Sequence, residues 1–344
     1  MKIGNRYLGE NKSVFIVAEA GDNHNGDIEI AKKLIEEAHR IGADAIKFQT
    51  WKTERIMTKK SPAAAYQKNF AKNQFEMAKK LELREDTFRE LAKFTKKKGI
   101  IFLSTPFDEE SVDFLDSLVP AFKIASSEVT NTPLLEHIAN KKKPIILSTG
   151  MSTMEEIRDA VDIIKTRTTD IILLHCISSY PTKISDVNMR VLNTLREKFN
   201  LNIGYSDHTI GIEPVLIAVS LGAVLIEKHF TLDKNMQGPD HKLSSDPDEF
   251  RKMIELIRRT EKILGSPEKR IINSEKEIRK ITGRSIVAKK PISKGTEISI
   301  EIIDLKRPSG GLTAKDLENV LGKIALKNIE QDEIITFKKL GEKK

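Results

Sequence analysis

Eight short apolar runs recur between residues 14 and 230, and nearly every one closes on a polar or ionisable residue. They are VFIVAEA (14–20), AIKFQ (45–49), IFLST (101–105), FKIAS (122–126), PIILST (144–149), IILLHC (171–176), NIGYSD (202–207) and AVLIEKHF (223–230). Runs this continuous read as parallel strands buried on both faces. Amphipathic patterns alternate with them and predict helices over 28–41, 86–98, 109–118, 153–165, 189–199, 212–221 and 246–264. Asp27, Asp108 and Ser152 are the expected N-caps, and Gly42, Gly99 and Gly222 fall where helices should stop. Eight strand–helix units predict a closed (β/α)8 barrel. The competing open, doubly wound sheet lacks support, because no Gly-x-Gly-x-x-Gly follows the first strand.

The connection over 50–85 is long for a barrel loop, carries a helical pattern near Tyr66 to Lys80, and is placed to cover a substrate. After residue 265 the character changes. A polar linker (266–283) leads to short strand patterns over 284–344, with a turn at Lys294-Gly295 and a loop at Gly310-Gly311. The expected organisation is therefore a TIM barrel over 1–265, a linker, and a small β-rich domain.

With 39% hydrophobic and 31% charged residues, the composition is globular. No apolar run reaches the ~20 residues that cross a bilayer, and the N-terminus shows no signal pattern. The single cysteine, Cys176, excludes an internal disulfide, which fits a cytoplasmic protein. The net charge of +8 is spread over solvated lysine runs without interleaved aromatics, so no nucleic-acid partner is expected.

In such a barrel, catalysis gathers where strands end and loops begin. Lys47 and Lys123 lie inside apolar strands, and a buried ammonium must be paired or functional. One reading is a structural ion pair. The other is an anion site in which the lysines act with Ser and Thr hydroxyls on a phosphate and a carboxylate. A Schiff-base aldolase would also use a strand lysine. His208 and His229 end adjacent strands beside Asp207 and Glu227, a pattern that fits one divalent cation of the manganese or magnesium kind rather than structural zinc. Cys176 reads as a small core residue. Asp240, in the turn Gly238-Pro239-Asp240-His241, is within reach of a sugar hydroxyl.

Taken together, EAGDNHNG (19–26), IKFQT (46–50), STPFD (104–108), KIASSE (123–128), ILSTGM (146–151), LLHCISSYPT (174–182), IGYSDHT (203–209), EKHFTLD (227–233) and GPDH (238–241) resemble the sialic acid synthase family. The tail is similar to its C-terminal antifreeze-like domain, and the insertion over 61–83 resembles the sialic and legionaminic branch rather than the pseudaminic one.

The resemblance implies condensation of phosphoenolpyruvate with an N-acetylated amino sugar, either N-acetylmannosamine or 2,4-diacetamido-2,4,6-trideoxymannose, with release of phosphate. It implies His208 and His229 as ligands of a divalent metal, manganese first and magnesium or cobalt after it. Lys47, Lys123, Ser126, Ser148, Ser178 and Ser206 are then the phosphoenolpyruvate contacts. Glu19 positions or deprotonates a water. Tyr180, Glu227 and Asp240 meet the sugar, with Arg307 supplied by the partner of a domain-swapped homodimer. Ser178 stands where the family often has Asn; its hydroxyl still donates one hydrogen bond. Two rivals remain: a Schiff-base pyruvate aldolase and a non-catalytic carbohydrate- or ice-binding protein.

Overall fold

The computed structural model of the protein describes residues 1–62 and 72–342. Two compact units result, 1–265 and 266–344. In the first, eight parallel strands form one sheet: β1 (Phe15–Gly21), β2 (Ala45–Thr50), β3 (Ile101–Pro106), β4 (Phe122–Ile124), β5 (Ile145–Ser148), β6 (Ile171–Cys176), β7 (Asn202–Asp207) and β8 (Leu225–His229). Their spatial order is β3-β2-β1-β8-β7-β6-β5-β4. The two outermost strands, β3 and β4, lie side by side, so the sheet curls into a barrel.

The strand pattern explains the closure. Successive residues point to opposite faces, and both faces here are apolar. Ile16, Ile46, Phe102, Phe122, Leu147, Leu173 and Ile226 pack outward under the helices. Phe15, Val17, Ala45, Leu103, Ala121, Ile146, Ile172, Leu174 and Leu225 fill the interior near the strand starts. Each fully buried side chain of this kind contributes ~1.5–3 kcal/mol. Gly204 lacks a side chain for a reason of space: a Cβ there would sit 2.5 Å from the Leu225 carbonyl oxygen. Below these layers an N-terminal hairpin, Lys2–Ile3 paired with Arg6–Tyr7, caps the barrel floor, with Ile3 and Leu8 joining the interior cluster.

The helices are α1 (Ile28–Arg40), α2 (Gln74–Leu81), α3 (Glu85–Lys98), α4 (Glu109–Asp116), α5 (Thr132–Asn140), α6 (Met154–Lys165), α7 (Val191–Phe199), α8 (Glu213–Ser220) and α9 (Pro247–Leu264). Asp27 and Asp108 cap α1 and α4 by accepting backbone N–H bonds. Ser152 does not cap α6. Thr153 does, closing a capping box with Glu156. α5 was missed by the periodicity, its pattern being masked by the Pro and Thr residues that start it.

The long connection after β2 holds a helical turn, Thr53–Ile56, and α2, which pack a small apolar cluster of Trp51, Met77, Ala78 and Leu81. The first part of the helix expected over Tyr66 to Lys80 lies outside the described residues.

In the second unit, Ser285–Ala288 pairs antiparallel with Ile303–Lys306, and Ile324–Ala325 with Leu340–Gly341, around a core of Ile286, Ile298, Val320, Ile329 and Ile335. The stretch expected as linker contains a helix, α10 (Asn273–Thr282), with no buried residue.

Candidate active site

Moving along each strand toward its C-terminal end, the inward residues change from apolar to polar: Phe15, Val17 then Glu19; Ala45 then Lys47 and Gln49; Ala121 then Lys123; Ile146 then Ser148; Leu225 then Glu227 and His229. One barrel mouth thus collects the ionisable groups.

Glu227 sits between the two lysines, its Oε1 3.7 Å from Lys47 Nζ and 3.7 Å from Lys123 Nζ. Ser206 donates to that same oxygen at 3.2 Å. Lys47 lies 2.7 Å from Glu19 Oε2 and donates to Thr105 at 3.1 Å. Lys123 donates to Ser148 at 2.8 Å. All four charged groups are buried. Burial works against the Lys47 ammonium, but Glu19 and Glu227 outweigh it and hold its pKa above the ordinary lysine range. Burial lowers the pKa of Lys123 in spite of Glu227. Burial pushes Glu19 up to about 7, against the pull of Lys47. Glu227 is the opposite case: Lys123 and Lys47 overcome the burial effect and keep it below its usual value. Two ammonium ions facing two carboxylates, one of which readily takes a proton near neutrality, make a pocket that accepts added negative charge.

The hydroxyls cluster beside the lysines. Gly150 donates its N–H to Ser126 Oγ at 2.9 Å. A Cβ on Gly150 would stand 2.4 Å from Ser178 Oγ and 2.9 Å from Ser126 Oγ, so only glycine lets these hydroxyls close in. Cys176 ties them to the histidines. It is buried, as expected of a core residue, but its Sγ lies 3.7 Å from His208 Nδ1.

His208 Nδ1 is 2.7 Å from the Ile177 carbonyl oxygen, so that nitrogen carries the proton and Nε2 keeps its lone pair. The His229 ring centroid is 5.5 Å away, and the Tyr180 ring stacks 4.2 Å from His208. His229 Nδ1 is buried without a hydrogen-bond partner, 3.6 Å from Asp240 Oδ2. Burial, with His208 and the lysines, holds His229 neutral, its pKa well below the ordinary imidazole value. Two imidazoles on adjacent strand ends, one backed by a carboxylate, suit a divalent cation. Among the described residues no three His, Cys, Asp or Glu side chains form a tighter cage, so other oxygens would have to complete the shell. A Cβ on Gly21, at a register shift in β1, would touch Glu19, Gln49 and His229 together, which places the carboxylate network against the histidines.

Above these groups opens a cleft of about 550 Å³ lined by Asp22, Gln49, Trp51, Tyr180, His229 and Asp240, among others. Burial raises Asp240 to about 6. A larger groove of about 990 Å³ runs at the opposite end near Arg196 and Glu261, but those charges are already satisfied by Leu221 and Val14.

Every barrel residue singled out in the sequence lies at this mouth. Arg307 lies in the second unit, exposed. Asp207, next to His208 in the sequence, faces the other way. It points away from the histidines, pairs with buried Lys228, and accepts from Tyr205 and Thr209. Sequence reasoning gave no role to two residues. Gln49, which donates to Glu19 at 2.9 Å, shares Lys47's face at a spacing of two. Asp22 gave no signal beyond its place in the loop after β1.

Residues 34–269 match the NeuB family and residues 283–341 the SAF domain. The chain belongs to the NeuB family. It is 50% identical over 337 residues to a protein named only as MJ1065 from Methanocaldococcus jannaschii, covering 97% of each chain. It is 45% identical to N,N'-diacetyllegionaminic acid synthase of Legionella pneumophila, covering 91% of each. Among solved structures, the N-acetylneuraminic acid synthetase of Leptospira borgpetersenii superposes with a TM-score of 0.73 at 39% identity, covering 81% of this NeuB chain and 94% of that one.

Proposed function

We propose that this protein condenses phosphoenolpyruvate with an open-chain N-acetylated amino sugar to give a nine-carbon, sialic-acid-type acid and inorganic phosphate. The observation that carries this reading is the buried Lys47–Glu19 and Lys123–Glu227 network, set against a hydroxyl cluster and two histidines at one barrel mouth. Named relatives in the family make legionaminic and neuraminic acids.

Lys47 and Lys123 hold the substrate carboxylate and phosphate, and Ser126, Ser148, Ser178 and Ser206 donate to the phosphate oxygens. Tyr180, Glu227 and Asp240 orient the sugar so that its aldehyde faces carbon three of phosphoenolpyruvate. As that carbon attacks, cationic character grows at carbon two beside the carboxylates. Glu19, poised near neutrality, accepts a proton from the water that adds there. The tetrahedral product collapses by C–O cleavage, and the lysines receive the departing phosphate.

His208 and His229 would hold a divalent cation, manganese before magnesium or cobalt, which supplies Lewis-acid polarisation of the aldehyde oxygen.

A second copy of the chain is part of the proposal, with Arg307 crossing to the partner's sugar site. Ile278 and Ile281 on α10 are 59% and 62% exposed, a stripe that a partner surface would cover. Among the described residues no helix is long and apolar enough to cross a membrane, and cytoplasmic action is the fitting location. The test is phosphate release from phosphoenolpyruvate with each candidate sugar, with and without Mn²⁺. Trapping of a lysine adduct by borohydride with free pyruvate would instead favour the aldolase.

A further inference from the structure

The residues that precede the two histidines are joined to each other. Asp207 and Lys228 stand directly opposite in the β7–β8 register, one position before His208 and His229. Alternation along the strands turns both to the outer face of the sheet, where Ile226 packs, and they are 1% and 3% exposed. Lys228 Nζ pairs with Asp207 Oδ2 and also donates to the Thr209 carbonyl oxygen at 2.8 Å. One ammonium, carried next to His229, thereby holds the residue before His208 and the residue after it.

The carboxylate completes the grip. Asp207 Oδ1 accepts from the Thr209 N–H at 2.9 Å, from the Thr209 hydroxyl at 2.8 Å and from the Tyr205 hydroxyl at 3.0 Å. The backbone over Asp207, His208 and Thr209 is closed into an Asx turn with His208 at its middle.

Packing alone does not call for this pair, since buried apolar side chains of similar volume are often at least as stable. An apolar pair cannot bind the amide and the carbonyl of Thr209. It would leave the turn that carries His208 free to shift against the strand that carries His229. The two rings lie 5.5 Å apart between centroids, and among the described residues no third ligating side chain closes the group. Cation affinity therefore depends on the placement of these two rings.

We propose that Lys228 is a positioning residue for the divalent cation: through Asp207 and the Thr209 carbonyl it sets where His208 stands relative to His229. This rests on the metal assignment in the synthase reading above.

The experiment titrates the full chain with Mn²⁺ by calorimetry and follows phosphate release over a Mn²⁺ series. Asp207→Asn/Lys228→Met removes both charges at near-constant volume and keeps an amide oxygen for Thr209. Its Kd for Mn²⁺ should rise about 10–100-fold, the usual effect of losing a group that orients a metal ligand, and phosphate release should recover as Mn²⁺ is raised. Asp207→Asn alone covers the case in which the double variant does not fold. An amide has one accepting oxygen where the carboxylate has two, so it serves Thr209 or Lys228 but not both, and the Kd should rise at least about threefold. Tyr205→Phe takes a donor from the same carboxylate and leaves both Lys228 contacts in place, so it should lower the melting temperature with the Kd unchanged. An unchanged Kd in the Asp207 variants, or an equal rise in Tyr205→Phe, overturns the positioning role and leaves the metal assignment standing. Failure of the unaltered chain to bind Mn²⁺ overturns both.

Discussion

The two ends of the barrel are built from the same strands and solve opposite problems. At the floor, Phe15, Val17, Ala45, Ala121 and Leu225 pack an apolar interior above the hairpin. At the mouth, two to four residues further along those strands, Glu19, Lys47, Lys123 and Glu227 are equally buried but charged. The floor gains stability from burial. The mouth gives some of it up, since desolvating ions costs more than their attraction returns unless every partner is in place. The orphaned atoms make the difference visible: Asp22 Oδ1, Trp51 Nε1, Glu227 Oε2 and His229 Nδ1 are buried without hydrogen-bond partners, and all belong to the mouth. A native fold keeps such atoms where a ligand will meet them.

Substitutions can separate the two ends. The largest effect is expected from Lys123→Met, which should cut kcat/KM per folded molecule by about a thousandfold or more, as loss of preorganised charge does, and should also lower the melting temperature, because buried Glu227 loses one of its two lysine partners. Removing divalent cations with a chelator should abolish phosphate release and Mn²⁺ should restore it; full activity after exhaustive chelation would end the metal assignment. Gly150→Ala places a methyl where Ser126 and Ser178 meet, and should raise the KM for phosphoenolpyruvate about a hundredfold with the acceptor KM changed little.

At the floor the currency changes. Leu225→Ala should lower unfolding free energy by about 2–5 kcal/mol by chemical denaturation, with turnover per folded molecule preserved. A thousandfold loss of turnover in that variant would mean that the ends are not independent.

The smallest effect concerns pH. Glu19 is held up to about 7 from an ordinary 4.5 by burial. The folded protein therefore binds this proton more tightly than the unfolded chain does. The resulting stability is complete below about pH 4.5 and is lost as pH rises through about 7. Glu19→Gln should shrink the difference in melting temperature between about pH 5 and about pH 8. An equal or larger difference would remove Glu19 as its source.

Most of the strand plan was legible because apolar runs of four to eight residues in a barrel have little else to become. The polar strand ends were legible for the same reason: Lys47 and Lys123 stand out in apolar surroundings. What was hidden is direction. Asp207 and Glu227 look equivalent beside the histidines, yet the pleat turns Asp207 outward to Lys228 and Glu227 inward to the lysines. Contacts across the barrel were hidden too. Nothing local says that Gln49 reaches Glu19, or that Cys176 touches His208. α5 escaped because its first turn is read as a loop until Asn131 is seen to cap it.

The N-terminal hairpin has a consequence for the order of assembly. Gly4 lies against Ile101 and Pro120, Arg6 pairs with Asp44 at 2.7 Å, and Ile3 shares a cluster with Leu225. The hairpin thus has its seat beside the last barrel strand to be made. During synthesis this stopper must wait in water for some two hundred residues before its socket exists, so closure of the barrel waits for β8.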